Sequence, residues 1–235
     1  MRTSLLAAAL CALLVGVAQG QDKPSDQKRA EAAALLNARG AELLKEGKLD
    51  AAVTELKQAA ETAPTSAIVQ SNLAYAYDRQ GRTDEAVAAY RKVLELDPSS
   101  AVARNNLANL YSKQGLYDDA VRELEDLVQR DPANATAKVN LESAMKSKAI
   151  TQERQDQITG ALKGVDARPN DPRAVYNAAR VYSRLGDQDK AFEWLTKALD
   201  LGYDQLDYLS LDPSLGGLRK DPRFQKLLED RRPQR

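Results

Sequence analysis

The sequence of 235 residues contains no histidine and one cysteine, Cys11. Without imidazole or a second thiol, the chain lacks the common general base, disulfides and most soft metal ligands. We also find no glycine-rich phosphate loop, no carboxylate pair set on loops and no nucleophile beside a base. We therefore expect no metal, no cofactor and no catalytic activity, and an enzyme with an unrecognised hydrolytic site is kept only as an alternative.

The sequence also lacks a net charge, because 34 Lys and Arg residues balance 34 Asp and Glu residues. A protein that binds nucleic acid or an anionic membrane through its overall field needs a basic excess. Neither partner is expected here. With hydrophobic residues at 43% of the chain, the composition is that of a folded protein.

The chain has no long apolar run, and its only sustained one lies near the start. Residues 5–17 are apolar throughout and follow Arg2, and the small residues Ala18 and Gly20 come next. This run is shorter than the roughly 20 residues of a membrane-spanning helix. The pattern predicts a secretory signal peptide over residues 1–20 that is removed, followed by a polar linker over residues 21–26. We expect a periplasmic or secreted protein with no stable membrane insertion after cleavage.

The rest of the chain is organised by a repeat of 34 residues. Glycine, alanine and proline recur at this period, and large side chains recur between them. Glycine tolerates the left-handed backbone that ends helices, and proline stops them, so each unit is predicted to be helix, tight turn, helix and turn. The recurring residues are Gly47, Gly81 and Gly115; Ala52, Ala86 and Ala120; and Pro64, Pro98 and Pro132.

This pattern resembles the tetratricopeptide repeat. The resemblance is strongest in the repeats at residues 67–100 and 101–134, and it implies an all-α, right-handed superhelical solenoid. We expect about five helix-turn-helix units and a short C-terminal capping helix. The residues that carry it in one repeat are Asn72, Leu73, Ala74, Tyr77, Gly81, Ala86, Tyr90 and Pro98.

Three regular repeats are expected over residues 27–134, and an irregular fourth unit over residues 135–169. Ala149 stands there in place of glycine, and three extra residues lengthen the unit, so a longer or differently angled second helix is expected. A fifth repeat with a closing segment follows over residues 170–230. That segment resembles the end of bacterial repeat arrays, where Phe224, Leu227 and Leu228 would cover the last apolar face. Residues 231–235 are expected to form a frayed tail.

The resemblance places the first helix of each repeat on the concave side of the array. Its sixth position is Asn72, Asn106, Asn140 and Asn177. Amide side chains donate and accept hydrogen bonds, so such a row can hold the backbone of an extended peptide. Asparagine is also common at this position in the family, so the row is consistent with a structural role as well.

Further candidates for peptide binding lie on the same face. Tyr75 and Asn109 occupy the ninth position of their repeats. A row of cations at the thirteenth position is explained equally well by the helix dipole. The fifth repeat is the most basic, and its arginines could grip a carboxylate beside a tyrosine, although a solvated helix face remains the alternative. These residues are Arg173, Tyr176, Arg180 and Arg184.

We therefore predict a non-enzymatic scaffold of the bacterial cell envelope that binds an extended protein segment. A structural adaptor that acts through its convex face or by self-association is the alternative. Family members that hold chaperone tails use a Lys-Asn-Asn-Lys-Arg set, and here Ala41 and Val102 stand at two of its places. The sequence does not indicate the partner or the oligomeric state.

Overall fold

The computed structural model describes residues 25–231. Within that range every regular element is a helix. The chain divides into two compact bodies, and the boundary along the sequence falls between Lys146 and Ser147. We call residues 25–146 the N-terminal body and residues 147–231 the C-terminal body. The predicted signal peptide, most of the linker and the end of the tail lie outside the described residues.

Three helix pairs form most of the N-terminal body. They are the three regular repeats expected over residues 27–134, except that the first helix begins at Asp26, where Ser25 caps it. The first helices are α1 (Asp26–Lys45), α3 (Ala67–Arg79) and α5 (Ala101–Lys113). The second helices are α2 (Leu49–Thr62), α4 (Thr83–Leu96) and α6 (Tyr117–Arg130).

The recurring glycines and prolines set the ends of these helices. Gly47, Gly81 and Gly115 follow the first helices with φ angles of 74°, 74° and 76°. A residue with a β-carbon rarely adopts this conformation, so glycine is required for the tight turn. The second helices end two residues before the recurring prolines, because the residue before a proline is driven out of the helical region.

Small residues let the two helices of a pair approach each other closely. Ala52, Ala86 and Ala120 have no exposed surface, as their place in the repeat predicts. At Gly40, a β-carbon would lie 2.5 Å from Cγ of Leu56. The crossing of α1 and α2 therefore excludes every larger side chain at this position unless Leu56 moves.

Residues 135–169 do not form a helix pair. A single helix, α7 (Ala135–Ala167), runs through 33 residues without a turn. The separate second helix expected in this unit does not form, and the described residues hold four helix pairs and this single long helix. Ala149 replaces the glycine that ends the other first helices, and no proline occurs between Pro132 and Pro169. Nothing in the local sequence stops the helix.

The C-terminal body contains the remainder of α7, one helix pair and the closing segment. The pair is the predicted fifth repeat, and Gly186 forms its turn with a φ of 85°. The closing segment, residues 206–229, contains two helices that are separated by two short 3-10 turns, Pro213–Leu215 and Leu218–Lys220. The helices of this body are α8 (Pro172–Arg184), α9 (Gln188–Asp200), α10 (Leu206–Leu209) and α11 (Pro222–Glu229).

The closing segment completes the core of the C-terminal body. Phe224 has no exposed surface, Leu228 is buried, and Leu227 packs partly buried against the same cluster. These three residues thus pack into the core of the C-terminal body, as expected for a cover, and the assignment of the segment as the end of a bacterial repeat array stays a prediction. A repeat array needs such a cover, because its terminal repeat has no neighbour on one side.

Candidate functional site

The first helices of consecutive repeats lie side by side in the N-terminal body. Nδ2 of Asn72 on α3 donates a hydrogen bond to Oδ1 of Asn37 on α1 at 2.8 Å. Lys113 on α5 forms an ion pair with Asp78 on α3 at 2.9 Å. A second pair of asparagines joins α7 to α5. The start of α7 therefore continues the row of first helices, although it begins no helix pair.

The predicted asparagine row takes part in these contacts. Nδ2 of Asn140 donates to Oδ1 of Asn105 at 2.8 Å, and Nδ2 of Asn106 donates to the hydroxyl of Tyr90 at 3.0 Å. Burial raises the pKa of Tyr90 to about 12, so this hydroxyl stays protonated at neutral pH. The asparagines therefore stabilise the stack. Because an amide has two N–H donors and an acceptor oxygen, each retains capacity for a ligand.

Asn177, the fourth member of the row, differs from the others. It lies on α8 in the C-terminal body and is exposed. Within residues 25–231 its side-chain amide makes no hydrogen bond to another residue. The structure thus separates the row into three residues that link helices and one that is free to contact a ligand.

A stripe of side chains runs along each first helix through the second, fifth, sixth, ninth and thirteenth positions of the repeat. Residues at spacings of three, four and seven share one helix face. We call this face the binding stripe. Its members on α3 include Ile68, Asn72, Tyr75 and Arg79, and on α5 Val102, Asn106, Asn109 and Lys113.

The binding stripes of the N-terminal body expose apolar side chains that sequence reasoning missed. Ile68 is 70% exposed and Val102 is 63% exposed, both at the second position. Val139, at the fifth position on α7, is 65% exposed. Scattered exposed apolar residues are ordinary, but recurrence on adjacent helices indicates a contact surface. The available signal was an apolar residue four places before Asn72 and before Asn106.

The ninth and thirteenth positions supply polar groups to the same stripes. Tyr75 is half-exposed, and its hydroxyl accepts a hydrogen bond from Arg79 at 3.0 Å. Asn109 is half-buried on α5. Lys45, Arg79 and Lys113 each lie in the last turn of their helix, where the helix dipole favours a cation. Tyr75 and Asn109 remain candidate ligand contacts.

In the C-terminal body the stripe of α8 is partly covered by the closing segment. The hydroxyl of Tyr176 donates to Oδ2 of Asp212 at 2.6 Å, and Nε of Arg180 lies 3.0 Å from the same oxygen. The backbone N–H of Ser214 donates to Oδ1 of Asp212 at 2.8 Å. Arg180 also donates to the hydroxyl of Ser214. Tyr176 and Arg180, at the fifth and ninth positions of this stripe, therefore bind the closing segment of the same chain.

These contacts correct the interpretation of Tyr176 as a peptide-binding residue, and they engage Arg180, whose side chain stays 37% exposed, with the chain itself. Tyr176 is 5% exposed, and Asp212 has no exposed surface. Burial raises the pKa of Tyr176 and the hydrogen bond to Asp212 raises it further, so the hydroxyl acts as a donor. Burial alone would raise the pKa of Asp212. The hydrogen bonds from Tyr176 and Ser214, with the charge of Arg180, outweigh it and hold that pKa below its ordinary value.

Two of the predicted arginines of α8 remain exposed. Arg184 lies in the last turn of the helix, where the dipole explains it. Arg173 lies at the opposite end, where its backbone N–H donates to Oδ1 of Asp171 at 2.9 Å and its side chain makes no hydrogen bond to a residue of the described range. Sequence reasoning therefore identified Arg173 and Asn177 as accessible residues, but it missed Asp212 and Ser214. The only sequence signal for Asp212 was its place before Pro213.

No group of three or more acidic, histidine or cysteine side chains in residues 25–231 is placed to hold a metal ion. No helix in this part of the chain is both long and apolar enough to cross a bilayer. The features that recur from helix to helix are exposed apolar, amide and cationic side chains. They form an extended surface on adjacent helices.

Paired helices with such a recurring surface define a helical repeat protein. Three family models, each described as a tetratricopeptide repeat, match residues 37–101, 79–141 and 172–201. These matches together cover more than half of the chain. The chain belongs to the tetratricopeptide repeat family, as the sequence resemblance implied. Residues 142–171, which no family model matches, lie mostly in the uninterrupted helix α7.

Solved structures align with parts of the chain. The first tetratricopeptide domain of human RPAP3 aligns with a TM-score of 0.50 at 20% identity, over 53% of this chain and 98% of that domain. Residues 41 to the end of MamA from Desulfovibrio magneticus RS-1 align at 25% identity with a TM-score of 0.48, over 74% and 97%. The second human RPAP3 domain, solved with the HSP70 peptide SGPTIEEVD, aligns at 21% identity with a TM-score of 0.47, over 52% and 98%. No curated protein sequence matches the chain.

Proposed function

We propose that this chain is a non-enzymatic protein-interaction scaffold that binds an extended segment of a partner protein across the binding stripes of α3, α5 and the start of α7. We propose further that it is exported and acts in the bacterial cell envelope, in the periplasm or as a secreted protein. Membership of the tetratricopeptide repeat family supports the first part, because stacked helical repeats present extended surfaces for binding.

The observation that carries the binding proposal is that neighbouring helices repeat the same order of chemistry. On α3, exposed Ile68 is followed by Asn72 and then by Arg79. On α5, Val102 stands at the place of Ile68, and the asparagine and the cation recur at the same spacing. Each stripe is about 16 Å long. It offers apolar contact at one end, an amide in the middle and a cation at the other end.

The spacing of the helices suits an extended ligand that crosses them. Packed helices lie about 8–10 Å apart, and an extended chain advances about 3.3 Å per residue. The ligand therefore meets a new stripe about every three residues. The amides of the asparagine row can bond its backbone, and the apolar positions favour hydrophobic side chains on the face of the ligand that lies against the stripes.

A chaperone tail of the kind bound by the second RPAP3 domain is not the proposed ligand. The sequence resemblance placed Ala41 and Val102 at two positions of the set that holds such tails in related proteins. Neither side chain can donate a hydrogen bond to a carboxylate. The exposed Val102 instead favours an apolar contact at this point.

The proposal of export rests on the first twenty residues and on the closing segment. Arg2 precedes an apolar run over residues 5–17, and the small residues Ala18 and Gly20 follow. The closing segment resembles the end of bacterial arrays. When the full chain is expressed in a bacterium, we expect mass spectrometry of the periplasmic fraction to give Gln21 as the first residue. A full-length product confined to the cytoplasm would contradict export.

Selection from a displayed library of random peptides tests the binding proposal, because it does not require the partner to be identified first. The chain from Gln21 to Arg235 is immobilised, and the enriched peptides are synthesised. The double variant Ile68→Ser with Val102→Ser should weaken their binding at least tenfold. Both side chains are exposed, so these changes should alter the free energy of unfolding by about 0.5 kcal/mol or less each.

Leu116→Ser provides the matched control. Leu116 is an exposed apolar residue in the turn between α5 and α6 and occupies none of the positions that form the stripes. Its replacement removes similar apolar surface and should leave peptide binding unchanged. Failure to enrich any peptide, or equal losses in the stripe and control variants, would remove the stripes as the binding surface.

A further inference from the structure

A small buried polar site lies in the C-terminal body, where the closing segment covers the turn between α8 and α9. Among residues 25–231, three buried side-chain oxygens have no hydrogen-bond partner, and they are Oδ2 of Asp126, Oγ of Ser183 and Oε1 of Gln188. The oxygen of Asp126 is ion-paired with Arg104 at 2.9 Å and with Arg130 at 2.8 Å. The other two oxygens belong to neutral groups and lie in one place.

The hydroxyl of Ser183 is not satisfied by its own helix. Ser183 lies in the last turn of α8 and is 6% exposed. A helical serine or threonine can donate its hydroxyl to the carbonyl four residues earlier. Thr54, Thr62 and Thr196 make this bond at 2.9, 2.7 and 2.9 Å. Ser183 does not make it, so its buried hydroxyl requires a different partner.

The side-chain amide of Gln188 reaches the same point from the start of α9. Nε2 of Gln188 donates to the backbone carbonyl of Ser183 at 3.4 Å. The opposite orientation of the amide would place two carbonyl oxygens against each other, so this bond fixes which end of the amide faces α8. Oε1 is therefore the buried end that lacks a donor. The unpaired amide oxygen and the unpaired hydroxyl belong to two residues in direct contact.

Gly217 of the closing segment covers this amide. A β-carbon at Gly217 would lie 2.5 Å from Nε2 and 2.9 Å from Oε1 of Gln188. The φ of −70° and ψ of −46° at Gly217 are ordinary for any residue. Glycine is thus required by the lack of space above the amide, and its backbone conformation needs no glycine. The closing segment lies directly on the amide and separates Oε1 from bulk solvent.

The two unpaired groups define which ligand can bind both. Oε1 of Gln188 needs a hydrogen-bond donor, whereas the hydroxyl of Ser183 both donates and accepts. An anion cannot donate to Oε1, and hard metal cations are held by sites that include carboxylates. Water donates two hydrogen bonds and accepts two, and buried water commonly joins polar groups that have no other partner.

We propose that Ser183 and Gln188 bind one structural water molecule beneath Gly217. The water donates to Oε1 of Gln188 and accepts the hydroxyl proton of Ser183. It stabilises the turn between α8 and α9 under the closing segment, the same segment whose Asp212 binds α8. The site lies apart from the binding stripes and does not depend on the proposed function.

Oxygen-17 magnetic relaxation dispersion of water tests the proposal on the chain from Gln21 to Arg235. The method detects long-lived water oxygens and does not respond to exchanging hydroxyl protons. We expect the long-lived component to fall in Ser183→Ala by the equivalent of a single water molecule. Ser112→Ala is the matched control, because Ser112 is a half-buried serine at the same position of the third repeat. An unchanged component in Ser183→Ala, or an equal loss in both variants, would overturn the proposal.

A double-mutant cycle tests whether Ser183 and Gln188 share the water. The urea midpoint of the C-terminal body, followed by Trp194 fluorescence, is measured for Ser183→Ala, for Gln188→Met and for the double variant. The two shifts should be less than additive, because either change already deprives the water of one of its partners. The gain in helix propensity from serine to alanine cancels in the cycle. Additive shifts would overturn the proposal, since they would mean that the two side chains act independently.

Gly217→Ala provides a variant that retains the fold. The added β-carbon meets only the free end of the Gln188 side chain, so the amide moves aside without displacement of the backbone. This movement takes Oε1 out of the site. The long-lived water component should be lost while the Trp194 urea transition stays cooperative. Retention of the component in Gly217→Ala would overturn the assignment of Gln188 as a ligand of the water.

Discussion

Both bodies carry the binding stripe, but its side chains are exposed in the N-terminal body and partly covered by the closing segment in the C-terminal body. In the N-terminal body Ile68 and Val102 are exposed, and the asparagines link neighbouring helices while keeping free donors and acceptors. In the C-terminal body Tyr176 and Arg180 hold Asp212 of the closing segment. The segment that protects the end of the array also occupies part of its last stripe. Ligand binding is therefore expected on the stripes of the N-terminal body and in the part of α8 that is left open.

The two bodies also use charge differently. Asp212 has no exposed surface, and a buried carboxylate is tolerated only when several partners satisfy it. Lys113 and Asp78 instead form an ion pair at the surface, which contributes little to stability. Loss of one partner of Asp212 should therefore be costly, whereas loss of a charge on the N-terminal stripes should mainly affect binding.

The largest expected effect comes from Phe224→Ala, which empties the core under the closing segment. Truncation of a fully buried phenylalanine costs about 3–5 kcal/mol. Trp194 is the only tryptophan and lies on α9 of the C-terminal body, so its fluorescence reports unfolding of that body in urea. Leu211, 74% exposed in the same segment, provides the control. Equal losses in Phe224→Ala and Leu211→Ala would show that the closing segment is not part of the core.

A smaller loss is expected from Tyr176→Phe, which keeps the ring and removes the donor to Asp212. A charged acceptor that loses a partner in a buried site costs roughly 1–3 kcal/mol. The Trp194 urea transition should move accordingly. Tyr208→Phe, at a half-exposed tyrosine of α10, should leave the transition in place. A Tyr176→Phe variant as stable as the wild type would contradict the assigned network.

Protonation of Asp212 at low pH should lower the free energy of unfolding of the C-terminal body. Because the folded pKa of Asp212 lies below its ordinary value, the unfolded chain binds its proton more readily. The stabilisation is present above the unfolded pKa and is lost as pH falls through the folded pKa. Asp221, whose pKa is lowered by the hydrogen bond from Arg223, acts in the same direction. The urea midpoint of unfolding should therefore fall less steeply between about pH 5 and about pH 3 in Asp212→Asn than in the wild type. Equal slopes of midpoint against pH would contradict the assigned role of Asp212.

A still smaller effect is expected from Asn72→Ala in the N-terminal body. The change removes the hydrogen bond to Asn37 and should cost about 0.5–1.5 kcal/mol. Hydrogen exchange of the amides in α1 and α3, measured by mass spectrometry, should show the loss, whereas Trp194 fluorescence should not. Asn109→Ala, at a stripe residue without a hydrogen bond of this kind, should not accelerate exchange. Equal acceleration of exchange in Asn72→Ala and Asn109→Ala would mean that the hydrogen bond between Asn72 and Asn37 does not stabilise the packing of α1 and α3.

Much of the fold could be predicted from the sequence because its signals are local. Each tight turn needs a left-handed residue, and Gly47, Gly81 and Gly115 supply it at a fixed period. The same reasoning identified Ala149 as a departure from the glycine of the repeat. It expected a second helix after this position, whereas helix α7 continues through it. The missing glycine predicted an irregularity, and only the structure shows that one helix continues through it, from Ala135 to Ala167.

The candidate site could be predicted only in part, because its accessibility depends on distant contacts. Tyr176 and Arg180 have the pattern of groove residues, but Asp212, more than thirty positions later, takes both. No local sequence pattern predicts that pairing. Ile68 and Val102 were missed for the opposite reason, since an apolar residue in a helical repeat is ordinarily assigned to the core. Their exposure shows that the stripe faces outward at this position.

The most direct test of the central difference between the bodies is a comparison of dissociation constants for one peptide enriched by the wild-type chain. The comparison uses the Ile68→Ser with Val102→Ser variant and the Arg180→Gln variant, each first shown to be folded by its urea transition. We predict that the constant rises at least tenfold in the first variant and stays within twofold in the second, because Arg180 is already engaged by Asp212 and Ser214. The reverse result, with binding lost in Arg180→Gln and kept in the stripe variant, would contradict the account.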